Sequence, residues 1–354
     1  MNFISKNIYY DDFFDFFIKK NSIIIKLKKD NNLLISSWHN GGYNENIKHV
    51  VNQSLEGQDY LNMEKYGYGK FQELYFKELG FDSQNTVGIT TSACMDNYGF
   101  SIKQYENLKV VSIVTAGADK NGIKAGDSAS FYEYNNYYFK HFGTINIITI
   151  INANLEAGAL VTAGLTITEA KTSVLQDLKV ESQFSTNIAT GTGTDGYCII
   201  SNKESNNHIE NAGKHSKLGE LIAKSVQDAT KKALYLQTAI CEEYQKTVLS
   251  RLSRFNIDFD DLLYLSNLSE IDYVKNFYNF NNNPKNVAFV SLIINLIDEV
   301  QVGLLDLDDV QDMVKSIIFS HLHIDVSDKI IEKNNDILEL LIKSINKYLE
   351  KNVT

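Results

Sequence analysis

The sequence predicts an α+β fold, a mixed and largely antiparallel sheet layered with helices, followed by an all-helical C-terminal appendage. Three observations carry this reading. Short β-rich runs divided by turn residues fill much of residues 22–202. One long helical pattern, Leu155 to about Leu178, interrupts them. From about Thr238 onward, apolar residues recur only at helical intervals.

Taken in order, "SIIIKLKK" and "NLLISSW" are β-rich runs divided at "DNN", a hairpin signal. "VGITTSA", "GFSIKQYE" and "KVVSIVTAG" follow, joined by "DNYG" and "EN", and predict an antiparallel meander. "GTINIITIIN" is a long β-branched run and reads as a central strand. After the helix come the threonine-glycine segment "ATGTGTDG" and the strand "YCIIS". Ser216 is placed to cap a helix starting at Lys217, which is read as continuous through Leu252. Residues 1–237 are expected to form the α+β domain and residues 238–354 the helical extension. The apolar stripes of that extension call for burial, either on the first domain or on a second copy of the chain.

Bulk properties exclude several classes. A net charge of −10 argues against nucleic acid and against an anionic membrane surface as partners. Cys94, Cys198 and Cys241 are few and far apart, without C-x-x-C spacing, which fits a reducing cytoplasm and offers no zinc site. The acidic, aromatic N-terminal run is unlike a signal peptide. "VAFVSLIINLI" is too short to span a bilayer. No P-loop is present: His208 stands where its first glycine belongs and His215 follows Lys214.

Candidate chemistry centres on two segments. If Ala189–Tyr197 is extended, Thr190, Thr192 and Thr194 line one face while Gly191, Gly193 and Asp195 line the other. Such a bare face beside a carboxylate admits a broad flat ligand or another backbone. Asp195 then either orients a water or protonates a leaving amine, or it simply holds a turn. On the helix, Thr162, Thr166, Glu169, Ser173 and Gln176 share a face, which reads either as a cavity wall or as a polar face against neighbouring structure. His215 precedes a helix N-terminus, where an imidazole serves as a base or as part of a capping turn. "SSWHNGG" offers Trp38, His39, Asn40 and Gly41 as a ligand loop or a tight turn. His321 and His323 lack a third ligand nearby, so no metal site is expected.

The order of these segments resembles the adenosylcobinamide amidohydrolase family. "GTINIITIINANLEAGALVTAGLTITEAKTSVLQDL", "ATGTGTDGYCIIS" and "AGKHSKLGELIAKSV" carry the resemblance, with "SSWHNGG", "TVGITTSA", "VTAG" and "KAGD" upstream, over about Ser22–Lys232. The resemblance implies cleavage of the amide between the corrin ring and its aminopropanol arm. Adenosylcobyric acid and 1-amino-2-propanol are the implied products, for cobalamin salvage. The corrinoid is then the substrate, and no cofactor is expected. Glu169 and Asp195 become candidates for base and acid, and Lys171 or backbone amides near Gly191 and Gly193 for oxyanion partners. Thr192 or Thr194 is a candidate nucleophile in place of water. Thr115, Asp127, Thr190, Gly191, Thr192, Gly193 and His215 join the "WHNG" residues as candidates for substrate contact. Gly196 departs from the family's usual serine at that place. A corrinoid carrier without hydrolytic activity is the alternative reading.

Overall fold

The computed structural model describes residues 6–130, 132 and 143–352; the start of the N-terminal acidic run lies outside them. The chain divides into two compact units, Met1–Cys241 and Glu242–Thr354.

The first unit opens with β1 (Lys6–Tyr10), β2 (Phe14–Lys19), β3 (Ser22–Leu27), β4 (Asn31–Ile35), β5 (Gly42–Glu45) and β6 (His49–Ser54). Helices α1 (Gln58–Tyr66) and α2 (Tyr68–Glu78) lead to β7 (Thr86–Thr91), β8 (Gly99–Tyr105), β9 (Leu108–Ala116) and the two-residue β10 (Gly122–Ile123). Then come β11 (Ile145–Ile151), β12 (Asn154–Leu155), α3 (Ala157–Asp177), β13 (Gly191–Thr192), β14 (Gly196–Asn202), β15 (His208–Ile209) and α4 (Lys217–Thr238).

Two sheets form. One has the order β1-β2-β3-β6-β7 and the other β5-β4-β14-β11-β9-β8. Most neighbours are antiparallel; β6–β7 and β11–β14 are parallel. Alternating side chains explain the stacking. Val111, Ile113, Ile148, Ile150, Cys198 and Ile200 face the other sheet, where Phe16, Ile23, Ile25, Val50 and Val87 meet them. The opposite residues of those strands, including Val110, Val114, Ile147 and Ile199, face α3 and α4 through Leu160, Ile167, Ile222 and Val226. Phe76 of α2 and Leu79 just after it cover Ile24 and Val51 on the far side of the five-stranded sheet. The unit is therefore a four-layer helix–sheet–sheet–helix stack. Lying inside both sheet interfaces, β11 is buried along its whole length, as its β-branched run predicts.

Three local expectations are corrected. The "DNN" turn does not make a hairpin: β3 pairs with β2 and β6, whereas β4 pairs with β14 and β5 in the other sheet. The expected meander holds only for β8–β9, since β7 pairs with β6. The helix from Lys217 does not reach Leu252. Ser216 caps it by accepting from the Gly219 amide at 3.0 Å, but it ends at Thr238. Ala239 follows in the left-handed conformation, φ 58°.

The second unit is all helical: α5 (Val248–Leu252), α6 (Phe259–Tyr264), α7 (Glu270–Asn281), α8 (Pro284–Gln301), α9 (Leu307–Leu322) and α10 (Asn334–Lys351). Its apolar stripes close on one another. Tyr273, Val290, Ile293, Val314, Ile318, Leu341 and Ile345 form one core of its own. The premise that these stripes require the first domain or a second copy is thereby removed. Among the described residues, no helix is long and apolar enough to cross a membrane.

One histidine gives the first unit an acid-sensitive element. His49 on β6 stacks on Phe81 at 4.0 Å. Burial, with Lys26 nearby, lowers its pKa to about 4 from the ordinary 6.5. Protons then favour the unfolded chain between those values, so this contribution is complete above about pH 6.5 and lost as pH falls through 4. His49→Phe is expected to flatten the decline of the urea midpoint between pH 7 and 4.5. An equal decline in both proteins would exclude His49 as a source.

Candidate active site

The parallel pair β11–β14 is linked through α3, and this connection assembles a charged pair at one end of the six-stranded sheet. Lys171 lies on the buried side of α3 and is 7% exposed. Its ammonium bonds the Asp195 carboxylate at the start of β14. Asp195 also accepts from the Ile145 amide at 3.0 Å, the Thr192 amide at 3.1 Å and the Thr192 hydroxyl at 2.5 Å. Three chain segments thus converge on one carboxylate, each through a charge-assisted bond.

The glycine segment makes this possible by a route other than the expected one. The chain pairs with β10 only at Gly191–Thr192, turns at Gly193–Thr194, and re-enters the sheet at Gly196. The continuous extended strand is corrected accordingly, and the three threonines do not share a face. The bare face is filled from within. A Cβ on Gly191 would overlap the Asp195 carboxylate and lie 2.6 Å from the Lys171 ammonium. One on Gly193 would lie 3.3 Å from the Asn121 amide oxygen, and one on Gly196 2.9 Å from that of Asn146. These glycines admit side chains of the same unit.

Polar residues inside the strands support the turn. Asn146 on β11 donates to Asn52 at 2.9 Å and to the Thr90 carbonyl at 2.8 Å. Asn52 in turn donates to the Thr115 hydroxyl at 2.9 Å. Thr144 donates to the Thr194 carbonyl at 2.5 Å, and Thr194 donates to the Gly143 carbonyl at 3.0 Å. Asn121 reaches the same Gly143 carbonyl at 2.8 Å. The Ser36 hydroxyl accepts from the Tyr197 amide at 2.9 Å. The sequence reading passed over Asn52 and Asn146, whereas Asn121 was a candidate for substrate contact. A lone asparagine in the apolar run "INIITII" was the available signal.

The remaining candidates are dispersed. Glu169 stands two positions from Lys171, about 200° around the helix. It faces solvent and pairs with Lys214. The polar stripe containing it meets neighbouring structure. Thr166 donates to the Ala212 carbonyl at 3.0 Å, Ser173 accepts from Gln227 at 2.8 Å, and Gln176 donates to the Ala189 carbonyl at 3.2 Å. Asp127 binds Ser182 and Ser185 at 2.7 and 2.9 Å, bonds that outweigh burial and hold its pKa below the ordinary value. Thr190 accepts from the Ala125 amide at 2.8 Å. His215 is exposed at the turn before α4. In the "WHNG" loop, His39 and Asn40 bond the Ser83 carbonyl at 2.9 Å each, and Trp38 stacks on Tyr68 at 5.1 Å. A Cβ on Gly41 would overlap the Ser37 carbonyl, so this glycine serves the turn. Among the described residues, no cluster of His, Cys, Asp or Glu is arranged to hold a metal.

The fold and the Lys171–Asp195 centre define an α+β protein with a charged pair at a strand end, joined to a separate helical unit. A model of the adenosylcobinamide amidohydrolase (CbiZ) family matches residues 9–242. The chain belongs to that family, and membership implies hydrolysis of adenosylcobinamide in cobinamide salvage. The match ends at the residue where the helical unit begins. An uncharacterized protein of Methanocaldococcus jannaschii, MJ1613, is 32% identical over 231 residues, covering 62% of this chain and 88% of that protein. Among solved structures, the PH0078 protein from Pyrococcus horikoshii OT3 aligns with a TM-score of 0.31 and 10% identity, over 60% of this chain and 76% of that one. The L-aminopeptidase D-Ala-esterase/amidase from Ochrobactrum anthropi gives 0.28 and 10%, over 63% and 78%. Both scores are too low to equate individual residues.

Proposed function

We propose that amide cleavage takes place at the Gly191–Asp195 turn, with Thr192 as nucleophile and Asp195 as its base. The supporting observation is the 2.5 Å bond from the Thr192 hydroxyl to the Asp195 carboxylate, whose other oxygen is held by Lys171. The Thr192 oxygen adds to the amide carbon while its proton passes to Asp195. The Lys171 charge and the turn's backbone amides steady the negative charge that develops. Collapse breaks the C–N bond, and the amine leaves as 1-amino-2-propanol with the proton returned from Asp195. Water then cleaves the ester, releasing adenosylcobyric acid and restoring the hydroxyl.

Thr192→Ser is expected to keep activity and Thr192→Val to lose at least about a hundredfold. The Val variant should also lose the covalent corrinoid adduct seen by mass spectrometry in quenched wild-type reactions. Full activity in Thr192→Val would overturn this assignment. Glu169→Gln, by contrast, is expected to stay within about twofold of wild type, because the residue sits in an exposed surface ion pair.

The charge balance and the three free cysteines support a cytoplasmic enzyme. Self-association through the helical unit would use α7, where Ile271, Val274 and Tyr278 are 83, 47 and 69% exposed at i, i+3 and i+7.

A further inference from the structure

Between the two sheets of the first unit, at the end of β11 far from the Lys171–Asp195 pair, lies a cavity of about 330 Å³. The Ile145 amide donates to Asp195, whereas Ile150, about 16 Å further along the same strand, lines the cavity. Val111 and Ile150 give it an apolar floor on the six-stranded sheet, and Phe14 of β2 adjoins them from the other sheet. Small-ligand sites combine such an apolar lining with a few polar groups, in volumes from about 300 Å³ upward.

The polar groups here divide into engaged and unengaged ones. Lys109 pairs with Asp11 at 2.5 Å, and Asp11 also accepts from the Phe13 and Phe14 amides at 2.8 and 3.0 Å. Just outside, Lys28 pairs with Asp15 at 2.6 Å and donates to the Asp11 carbonyl at 2.8 Å. That wall is fixed and electrically balanced. Lys29 and Asp12 also line the cavity, and neither charged group has a partner among the described residues, each other included. Asn202, another lining residue, is 7% exposed. Its side-chain oxygen accepts from the Glu204 amide at 3.1 Å, while its NH2 has no partner among the described residues. Buried donors are ordinarily satisfied, so this one calls for an acceptor within the cavity.

We infer that the cavity binds a free α-amino acid with an apolar side chain. The Lys29 ammonium and the Asn202 NH2 are donors for its carboxylate, and exposed Asp12 receives its ammonium. The side chain rests on Val111, Ile150 and Phe14. With Lys109 and Asp11 neutralising each other, one cation and one anion remain. A zwitterion satisfies both, whereas a simple acid or a simple amine leaves one of them uncompensated. The product 1-amino-2-propanol lacks a carboxylate and is not the ligand. The inference is independent of where the amide is cleaved.

The test is isothermal titration calorimetry of the full-length protein with L-leucine, L-leucinamide and 4-methylpentanoate. Leucine is expected to bind saturably, one per chain. The amide lacks the carboxylate and the acid lacks the ammonium, so each should bind at least about tenfold more weakly. Lys29→Gln and Asp12→Asn should each weaken leucine binding about tenfold or more. Neither side chain has a partner to lose, so the melting temperature should hold. Lys29→Gln should also narrow the gap between leucine and leucinamide, and Asp12→Asn that between leucine and the acid. Asp309→Asn, at an exposed position in the helical unit, is the control and should bind normally. Absence of saturable leucine binding at millimolar concentrations overturns the proposal and leaves the cavity to water. Equal affinity for the three ligands, unchanged leucine affinity in either cavity variant, or an equal loss in Asp309→Asn overturns it as well.

Discussion

Asp195→Asn is expected to lower kcat by at least about a hundredfold, with far-ultraviolet circular dichroism unchanged. The substitution keeps the size of the side chain but removes an acceptor and introduces a donor. Asp195 receives bonds from the Lys171 ammonium, the Ile145 and Thr192 amides and the Thr192 hydroxyl. An asparagine must turn an N–H toward one of those donors, and it can no longer take the Thr192 proton. Lys171, at 7% exposure, loses the carboxylate with which it forms its ion pair. Breaking a buried pair costs about 3–5 kcal/mol, so part of the effect should appear as stability. Lys171→Met, which replaces the ammonium by a flexible apolar chain, separates the two effects: it should also lower turnover while sparing more of the stability. Release of 1-amino-2-propanol is the direct assay. A rate within tenfold of wild type in Asp195→Asn would remove that residue from the reaction.

Gly99→Val is expected to be the most damaging single change to the stability of the first unit. Gly99 lies on β8 where α4 crosses it, and any Cβ there would overlap the Ala229 carbonyl. That obstacle is helix backbone and cannot rotate aside, so the helix must lift from the sheet. Overpacking of this kind costs about 3 kcal/mol or more. For a domain of this size that lowers the melting temperature by roughly 6–12 °C. An unchanged melting temperature would show that α4 is held less tightly against β8 than the close approach implies.

Regular elements were the most legible part of the sequence. The helix expected over Leu155–Leu178 is found at Ala157–Asp177, and the β-branched run became the central strand Ile145–Ile151. These patterns depend on near neighbours in the chain. Partner choice does not. The turn at Asp30 is real, but nothing nearby specifies that β3 and β4 leave it for different sheets. In the threonine-glycine segment, a period of two was applied across a turn. Reading Gly193–Thr194 as turn residues would have brought Thr192 and Asp195 together. On α3, Glu169 was grouped with a polar stripe that meets neighbouring structure. Lys171 instead continues the buried series Leu160, Gly164, Ile167, and a lysine on such a stripe calls for a buried partner.

The pairing of β4 with β14 also has a consequence for synthesis of the chain. Ser36 and Tyr197 meet across 161 residues. At about 5–20 residues per second, a ribosome needs roughly 10–30 s to produce the second after the first. Throughout that interval β4 and β5 have no neighbour on the β14 side, and β4 presents an unpaired edge. The Lys171–Asp195 contact, by contrast, closes within 24 residues of a single strand–helix–strand segment. The charged centre can therefore form soon after its own segment emerges, whereas the nascent N-terminal strands must wait for their partner.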